Sequence, residues 1–397
     1  MNEPYDILIM GAGPAGSAAG NFLAHAGLRV LIVEGEKHPR HHIGESLLPG
    51  SVPILNALGI SSDTLTATCQ PKFGARFYDP AGDRLVTFGF EPTPGSPSPA
   101  YQVSRETFDA LLAQKARDAG CDLWENAVIE TFDEQADRPS VTLRDGRTVS
   151  ARFLVDATGR DALIATKHRE KRLMADYGRV GIYTYFADLP AHDEHDARYI
   201  TMYLFPAGWV WLIPLSDGRT SVGIVFRDIP EISAAAQGQT KQEALFWHAA
   251  NTMPRLTQRL RGARITDSYR AISDYSYTVD HKFGPRWAAV GDAAGFLDPL
   301  FSSGVHLALA SAQRASAAIL DTLHSASTEK LQAYAAHMDA GFHVFRAFVH
   351  RFYHRDLANN LFFAPNKPPG IHLAITRILA GHVWDPTNPV LKMLGVS

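Results

Sequence analysis

The first forty residues constrain this chain most. Asp6-Ile7-Leu8-Ile9-Met10 is an uninterrupted apolar run that passes directly into Gly11-Ala12-Gly13-Pro14-Ala15-Gly16, and small residues continue through Ser17-Ala18-Ala19 into a helical pattern with Phe22 and Leu23 on its apolar side. A run without polar alternation suits a parallel strand buried on both faces. A second run, Val30-Leu31-Ile32-Val33, ends in Glu34, about 20 residues on, where a dinucleotide fold places the acid that holds a ribose 2′-hydroxyl. The three glycines differ in what they allow. Gly11 permits the tight turn, Gly13 lets backbone approach a pyrophosphate, and Gly16 allows close helix–strand packing. Free N–H groups at the helix start, around Ala15, then face phosphate. A glycine-rich turn alone says little, but two flanking strands, the helix and Glu34 together specify a dinucleotide site.

Composition narrows the rest. A chain of 397 residues is two or three domain-sized units, or one large α/β body with insertions. Hydrophobic residues at 46% and charged residues at 20% exclude a disordered chain, and a net charge of −3 offers no sequence-wide footprint for nucleic acid. Cys69 and Cys121 are the only cysteines, so there is no disulfide framework or thiolate metal cluster, which fits a reducing cytoplasm. No basic and apolar leader precedes Asp6, and no stretch of about 18 apolar residues follows. The expectation is a soluble, unexported protein without stable membrane insertion.

Two later segments decide which dinucleotide. Leu154-Val155-Asp156-Ala157-Thr158-Gly159 is an apolar run ending in a small-residue turn, and Ala288-Ala289-Val290-Gly291-Asp292-Ala293-Ala294-Gly295 is another, with Asp292 where a strand hands over to a helix. They resemble the ATG and GD motifs of glutathione-reductase-type FAD proteins, whose GD aspartate contacts the ribityl chain; a helix cap is the plain alternative for Asp292. Arg105, in Val103-Ser104-Arg105-Glu106-Thr107-Phe108-Asp109, matches an arginine such enzymes place over the flavin, against the alternative of a solvated charge at a helix start. No second GxGxxG unit occurs in the sequence. Reduced flavin is therefore expected from a separate NAD(P)H flavin reductase.

Four further segments, in order, resemble the flavin-dependent halogenases. Gly44-Glu45-Ser46 matches the family's GES segment near the flavin, and Pro71-Lys72-Phe73-Gly74-Ala75 the segment with its essential lysine. Trp209-Val210-Trp211-Leu212-Ile213-Pro214 reproduces WxWxIP, and Phe296-Leu297-Asp298-Pro299-Leu300-Phe301-Ser302-Ser303-Gly304 reproduces FxxPxxSxG. The resemblance implies that FADH2 and oxygen oxidise chloride or bromide to hypohalous acid, which travels to Lys72 and halogenates an aromatic carbon. An ammonium at Lys72 would polarise hypohalous acid and a desolvated amine would form a haloamine; both readings stand, beside that of a surface lysine in a turn. By the same resemblance Ser303 and Gly304 hold the halide, where small residues turning into a helix leave N–H groups unpaired, although a simple N-cap by Ser302 or Ser303 competes. Trp209 and Trp211 share one face of a strand and are read as packing.

One departure bears on substrate. Tryptophan halogenases carry a glutamate just before the SxG portion, where this chain has Phe301. That points to the phenol and pyrrole branch, with a free or carrier-protein-tethered ring as acceptor. His306 follows the motif and is left unassigned, since a lone histidine is more often a packed core residue than a base. Aromatic monooxygenases and isoprenoid-type reductases use the same fold, and for them Lys72 and the Ser302-Ser303-Gly304 turn would be incidental.

The expected architecture is α/β: a discontinuous Rossmann-like FAD-binding domain (1–74, 100–176, 270–330), an inserted mixed β-sheet substrate domain (75–99, 177–269) and a helical C-terminal region (331–397). Alternating apolar residues and many aromatics support the sheet. Residues 91–99 read as a proline-rich connecting loop, and His38, His41, His42, His192 and His195 as solvated loop histidines rather than metal ligands. Phe342, Phe345, Phe348, Phe352 and Tyr353 form a helical stripe, and the break 365–370 precedes another helix from Ile371 to Ala380.

Overall fold

The computed structural model describes residues 5–81, 84–90, 99–174, 179–191, 193–227, 229–230, 240–273, 276–354, 362–364 and 370–395. Most of the proline-rich loop, His192 and the break at 365–369 lie outside them.

The opening run forms the strand Tyr5–Met10, with Ile7 to Met10 completely buried. It pairs in parallel with Val30–Val33 on one side, Ile7 opposite Val30, and with Thr148–Asp156 on the other, Ile7 opposite Phe153. Asp122–Trp124 extends this sheet in parallel at one end and Trp287–Ala289 on the other side, where Phe283–Gly284 adds an antiparallel edge. Both faces are covered, which is why the strands are continuously apolar. Ile7, Ile9, Ile32 and Val155 face the helices Pro14–His25 and Ser303–Ser325, whereas Leu8, Met10, Leu31 and Leu154 pack with Ile164, Tyr277 and Trp287.

A second, largely antiparallel sheet runs in the order Arg264–Ile265, Val180–Ala187, Arg219–Phe226, Gly208–Pro214, Tyr199–Phe205, Gly74–Tyr78, Leu85–Gly89. Gly74–Tyr78 joins Tyr199–Phe205 in parallel, Ala75 opposite Ile200, so two segments far apart in sequence build one sheet. One face, including Phe186, Val210, Leu212 and Ile224, is covered by the helices Lys241–Ala250 and Pro254–Leu260. The other carries Phe77, Phe88, Trp209 and Trp211 into a core shared with the helix Glu329–Tyr353. Trp211 lies over Gly223, where any Cβ would collide with the indole ring.

The aromatic stripe thus has a destination. Phe345, Phe348 and Phe352 are buried, and Phe352 meets Phe301 at 5.7 Å and Phe77 at 6.3 Å between ring centroids. The helix Ile371–Leu379 follows the break as expected. Among the described residues no helix is long and apolar enough to cross a membrane, and no group of histidine, cysteine and acidic side chains is placed to hold a metal.

Candidate active site

The glycine turn forms one end of a cavity of about 710 Å³. Gly11 adopts φ +100°, and a Cβ there would stand 2.5 Å from the Ala157 carbonyl oxygen. A Cβ on Gly16 would collide with the Gly11 carbonyl oxygen, so the helix lies against the turn. At Gly13 the nearest atom to such a Cβ is Arg40 Nη2, 3.7 Å away, which leaves bare backbone facing the cavity. Gly13 is the N-cap of the helix Pro14–His25, whose first turn has no acidic residue to repel an anion. Glu34 accepts from the Ala12 N–H (2.8 Å) and the Glu36 N–H (3.1 Å), which fixes its carboxylate beside the turn. Ala15 packs against the second motif, since a Cβ on Gly291 would approach Ala15 Cβ to 2.7 Å.

Gly11, Gly13, Ala15, Glu34, Ser46, Arg105, Asp292 and Gly304 all line this one cavity, while Gly16 packs beneath it. Arg105 is no solvated charge: it is 5% exposed. Its guanidinium forks onto Asp109 (2.7 and 2.8 Å), and Nη1 donates to the Ile43 carbonyl at 2.6 Å. Gly44, at φ +104°, gives it room, for a Cβ there would stand 3.0 Å from Nη1. Asp292 does not cap the long helix, which begins at Ser303 after an N-cap at Ser302. Burial raises the Asp292 pKa to about 6, against the opposing fields of Arg105 and Arg160.

Ser46 Oγ is one of several buried side-chain polar atoms of the wall without a hydrogen-bond partner among the described residues. A cavity of this volume, with bare glycine backbone, a ribose-type acid beside it and unsatisfied polar atoms in its wall, fits a dinucleotide such as FAD.

Lys72 lies just beyond this wall. Its strand, Gln70–Lys72, pairs with Ala100–Gln102, which directs the side chain inward to 1% exposure. Nζ donates to the carbonyl of Leu47, the residue after Ser46, at 2.8 Å, and stands 5.2 Å from the centre of the Phe90 ring. Burial lowers its pKa to about 7. The alternative of a surface lysine does not survive this placement.

The serine turn lines the same cavity as the glycine turn. Asp298 caps the turn Pro299–Phe301 by accepting from the Leu300 N–H at 3.0 Å. Ser302 then adopts φ +58° and makes no side-chain cap bond, so its hydroxyl leaves the first N–H groups of the following helix unanswered. Pro299, Ser302 and Gly304 line the cavity, while Ser303 lies behind them at 2% exposure. A Cβ on Gly304 would meet nothing within 4 Å.

Comparison with known proteins agrees with this geometry. The model of the Tryptophan halogenase family matches residues 6–94 and 90–377. The chain belongs to that family. It is 32% identical over 356 residues to a flavin-dependent halogenase, armH5, of Armillaria mellea, covering 84% of this chain and 68% of that one. A 1H-pyrrole-2-carbonyl-[peptidyl-carrier protein] chlorinase of Pseudomonas fluorescens is 27% identical, with 97% of this chain and 90% of the relative covered. Among solved structures, a flavoprotein/dehydrogenase from Cytophaga hutchinsonii superposes with a TM-score of 0.88 at 30% identity, covering 98% of this chain and 96% of its own. The flavin-dependent halogenase CmlS superposes at 0.78, also 30% identical, covering 95% and 70%. The curated relatives are spanned to different extents, from 60% to 90% of their length among the first three. The chain is thus a flavin-dependent halogenase, an enzyme of oxidoreductase type with FAD as cofactor and a halide as substrate.

Several features of this halogenase differ from, or add to, the sequence reading. Phe301 is 3% exposed and packs edge-on against Phe348 at 5.5 Å, part of an apolar wall. Of the histidines near residue 40, His42 is exposed, as expected, whereas the other two are not solvated. His38 is buried and bonded to Glu125 at 3.0 Å, and His41 and His42 line the cavity, where His41 Nε2 reaches the Tyr183 hydroxyl at 3.0 Å. His306, unassigned from sequence, is a core residue: Nε2 donates to the Gly381 carbonyl at 3.1 Å and Nδ1 faces the Ser51 hydroxyl at 3.3 Å.

Two residues escaped sequence reasoning. Arg40 lies between Glu34 (3.5 Å) and Asp109 (3.6 Å) next to Gly13, a cation beside the glycine turn. Glu45 is 2% exposed and accepts from the Tyr185 hydroxyl at 2.8 Å. Burial raises its pKa to about 7, although the hydroxyls of Ser221 and Tyr185 and the charge of Arg105 pull the other way. Membership of the GES segment was its only sequence signal, because the partners that tune it come from residues 185 and 221.

Proposed function

We propose that this halogenase installs chlorine or bromine on an electron-rich phenol- or pyrrole-type ring, free or tethered to a carrier protein, with Lys72 delivering the halogen. The observation that carries this reading is the placement of Lys72, fully buried one residue beyond the wall of the flavin-sized cavity, with a pKa near 7. FAD would be held by Gly11, Gly13, Ala15 and Glu34 at the adenine end and by Ser46, Arg105 and Asp292 further along. Bound in its reduced form, FAD supplies two of the electrons that bring oxygen to water and hypohalous acid, the halide supplying the other two.

The chain's own residues do the rest. Unpaired N–H groups at Ser303 and Gly304 hold the halide anion in a site screened from water. Glu45, near neutrality in its pKa, holds a proton at the cavity wall. Lys72 is populated in both forms at neutral pH, an ammonium that hydrogen-bonds hypohalous acid and an amine that takes the halogen. The ring carbon then takes the halogen and loses its proton, while the hypohalous oxygen leaves as water. Phe301 offers no base to the acceptor, which favours rings already nucleophilic as phenolate or pyrrole. The pyrrole chlorinase among the relatives supports this substrate class.

The test is turnover with FAD, a flavin reductase, NADH, oxygen and chloride or bromide against free phenols, pyrroles, carrier-tethered pyrroles and tryptophan. Mass spectrometry should find a halogen isotope pattern on a phenol or pyrrole. Oxygen addition instead would support a monooxygenase, and efficient halogenation of free tryptophan would refute the substrate assignment.

A further inference from the structure

The first tryptophan of WxWxIP has a polar role besides its bulk. Trp209 Nε1 donates to the Tyr353 hydroxyl at 2.8 Å, and Tyr353 donates to Asp298 Oδ2 at 2.7 Å. Asp298 Oδ1 accepts from the Leu300 N–H at 3.0 Å. An indole N–H can only donate, so the single hydroxyl proton of Tyr353 is committed to Asp298 and the direction of the chain is set. Asp298 is completely buried, and its own N–H is bound to Ser276 Oγ at 3.0 Å. Its pKa of about 6, raised by burial, leaves the carboxylate as the main form at neutral pH. The Arg179 guanidinium lies 4.4 Å from the centre of the Tyr353 ring.

This chain of bonds joins three segments remote in sequence: the strand Gly208–Pro214, the last residue of the helix Glu329–Tyr353, and the turn Pro299–Phe301 that leads into Ser302. The turn needs support, because Ser302 stands at φ +58°, ψ 26°, a conformation that L residues seldom adopt, and no side chain caps the helix there. We propose that Tyr353 is a positioning residue that, by donating to Asp298, holds the Pro299–Gly304 turn in its halide-binding shape, so that the halide site is complete only when the C-terminal helix is docked. This rests on the assignment of the halide to Ser303 and Gly304. Without the tyrosine proton, Asp298 keeps an unpaired buried oxygen and loses the anchor that orients its cap on Leu300.

Tyr353→Phe removes one oxygen and keeps the ring. The halide KM should rise about tenfold, the scale of one lost charge-assisted hydrogen bond, while kcat at saturating halide stays within about twofold. FAD affinity should be unchanged, the bromide Kd, read from perturbation of the bound-flavin absorbance, should weaken in parallel, and amides 300–304 should exchange hydrogen faster. Trp209→Phe, which leaves the Tyr353–Asp298 bond in place, should raise the halide KM by a smaller factor of about threefold, and it carries the test if Tyr353→Phe does not fold. A merely structural tyrosine would lower kcat and thermal stability and leave the halide KM alone. An unchanged halide KM and bromide Kd in Tyr353→Phe, in an enzyme whose wild type halogenates, overturns the coupling alone. A wild type without halide-dependent product overturns the halide assignment and the coupling with it.

Discussion

Replacing Lys72 by methionine should destroy halogenation and stabilise the fold at neutral pH. Lys72 is fully buried, and burial lowers its pKa from 10.5 to about 7. In the unfolded chain the same amine binds a proton up to about pH 10.4, so between pH 7 and 10 the unfolded state holds a proton that the folded state gives up. At about 1.4 kcal/mol per pH unit, the penalty on the fold is about 4 kcal/mol at pH 7, and it shrinks to under about 1 kcal/mol at pH 10. Methionine fills nearly the same volume without a charge, but leaves the Leu47 carbonyl without its donor, a loss of about 1–3 kcal/mol. Lys72→Met should therefore gain about 1–3 kcal/mol at pH 7, and that advantage should vanish or reverse by pH 10. Equilibrium urea unfolding of both proteins, each saturated with FAD, across pH 6–10 measures the difference directly. A stability difference that does not change with pH would refute the reasoning, because it would mean that Lys72 is not held away from water in the folded enzyme.

The remaining expectations concern the cavity. Gly16→Ala drives a methyl group into the Gly11 carbonyl, whose own N–H is bound to the Val33 carbonyl at 2.8 Å; FAD affinity, read by flavin fluorescence titration, should fall by about 100-fold or more, together with the melting temperature. Arg105→Lys loses the fork onto Asp109 and should weaken FAD binding about tenfold in the same titration. Glu45 should show a protonated-carboxyl infrared band that disappears as pH rises through about 7 and is absent from Glu45→Gln. Tyr185→Phe removes a donor that favours the ionised form, so that band should persist to higher pH, by roughly one unit.

Much of the site was legible because its parts are local. The turn Gly11 to Gly16 needs only neighbouring residues to present backbone to a phosphate, and Glu34 follows from the length of one strand–helix–strand unit. Such geometry repeats wherever the spacing repeats, so residue types at fixed offsets carry it. His38 and His41 misled for the opposite reason: their polarity suggests solvent, and only the walls contributed by Glu125 and Tyr183 cover them. Glu45 is likewise an ordinary carboxylate in sequence, and its pKa near 7 comes from burial.

By itself, then, the sequence determined the α/β class, the dinucleotide turn, the halogenase resemblance and the residues in each motif, since all of these are encoded within short windows. Tertiary structure alone decided that Lys72 is desolvated against Leu47 and Phe90, that Phe301 faces the aromatic stripe of the C-terminal helix, and that Trp209 reaches Asp298 through Tyr353. Those properties depend on which surfaces of separate segments meet, and on the water excluded when they do.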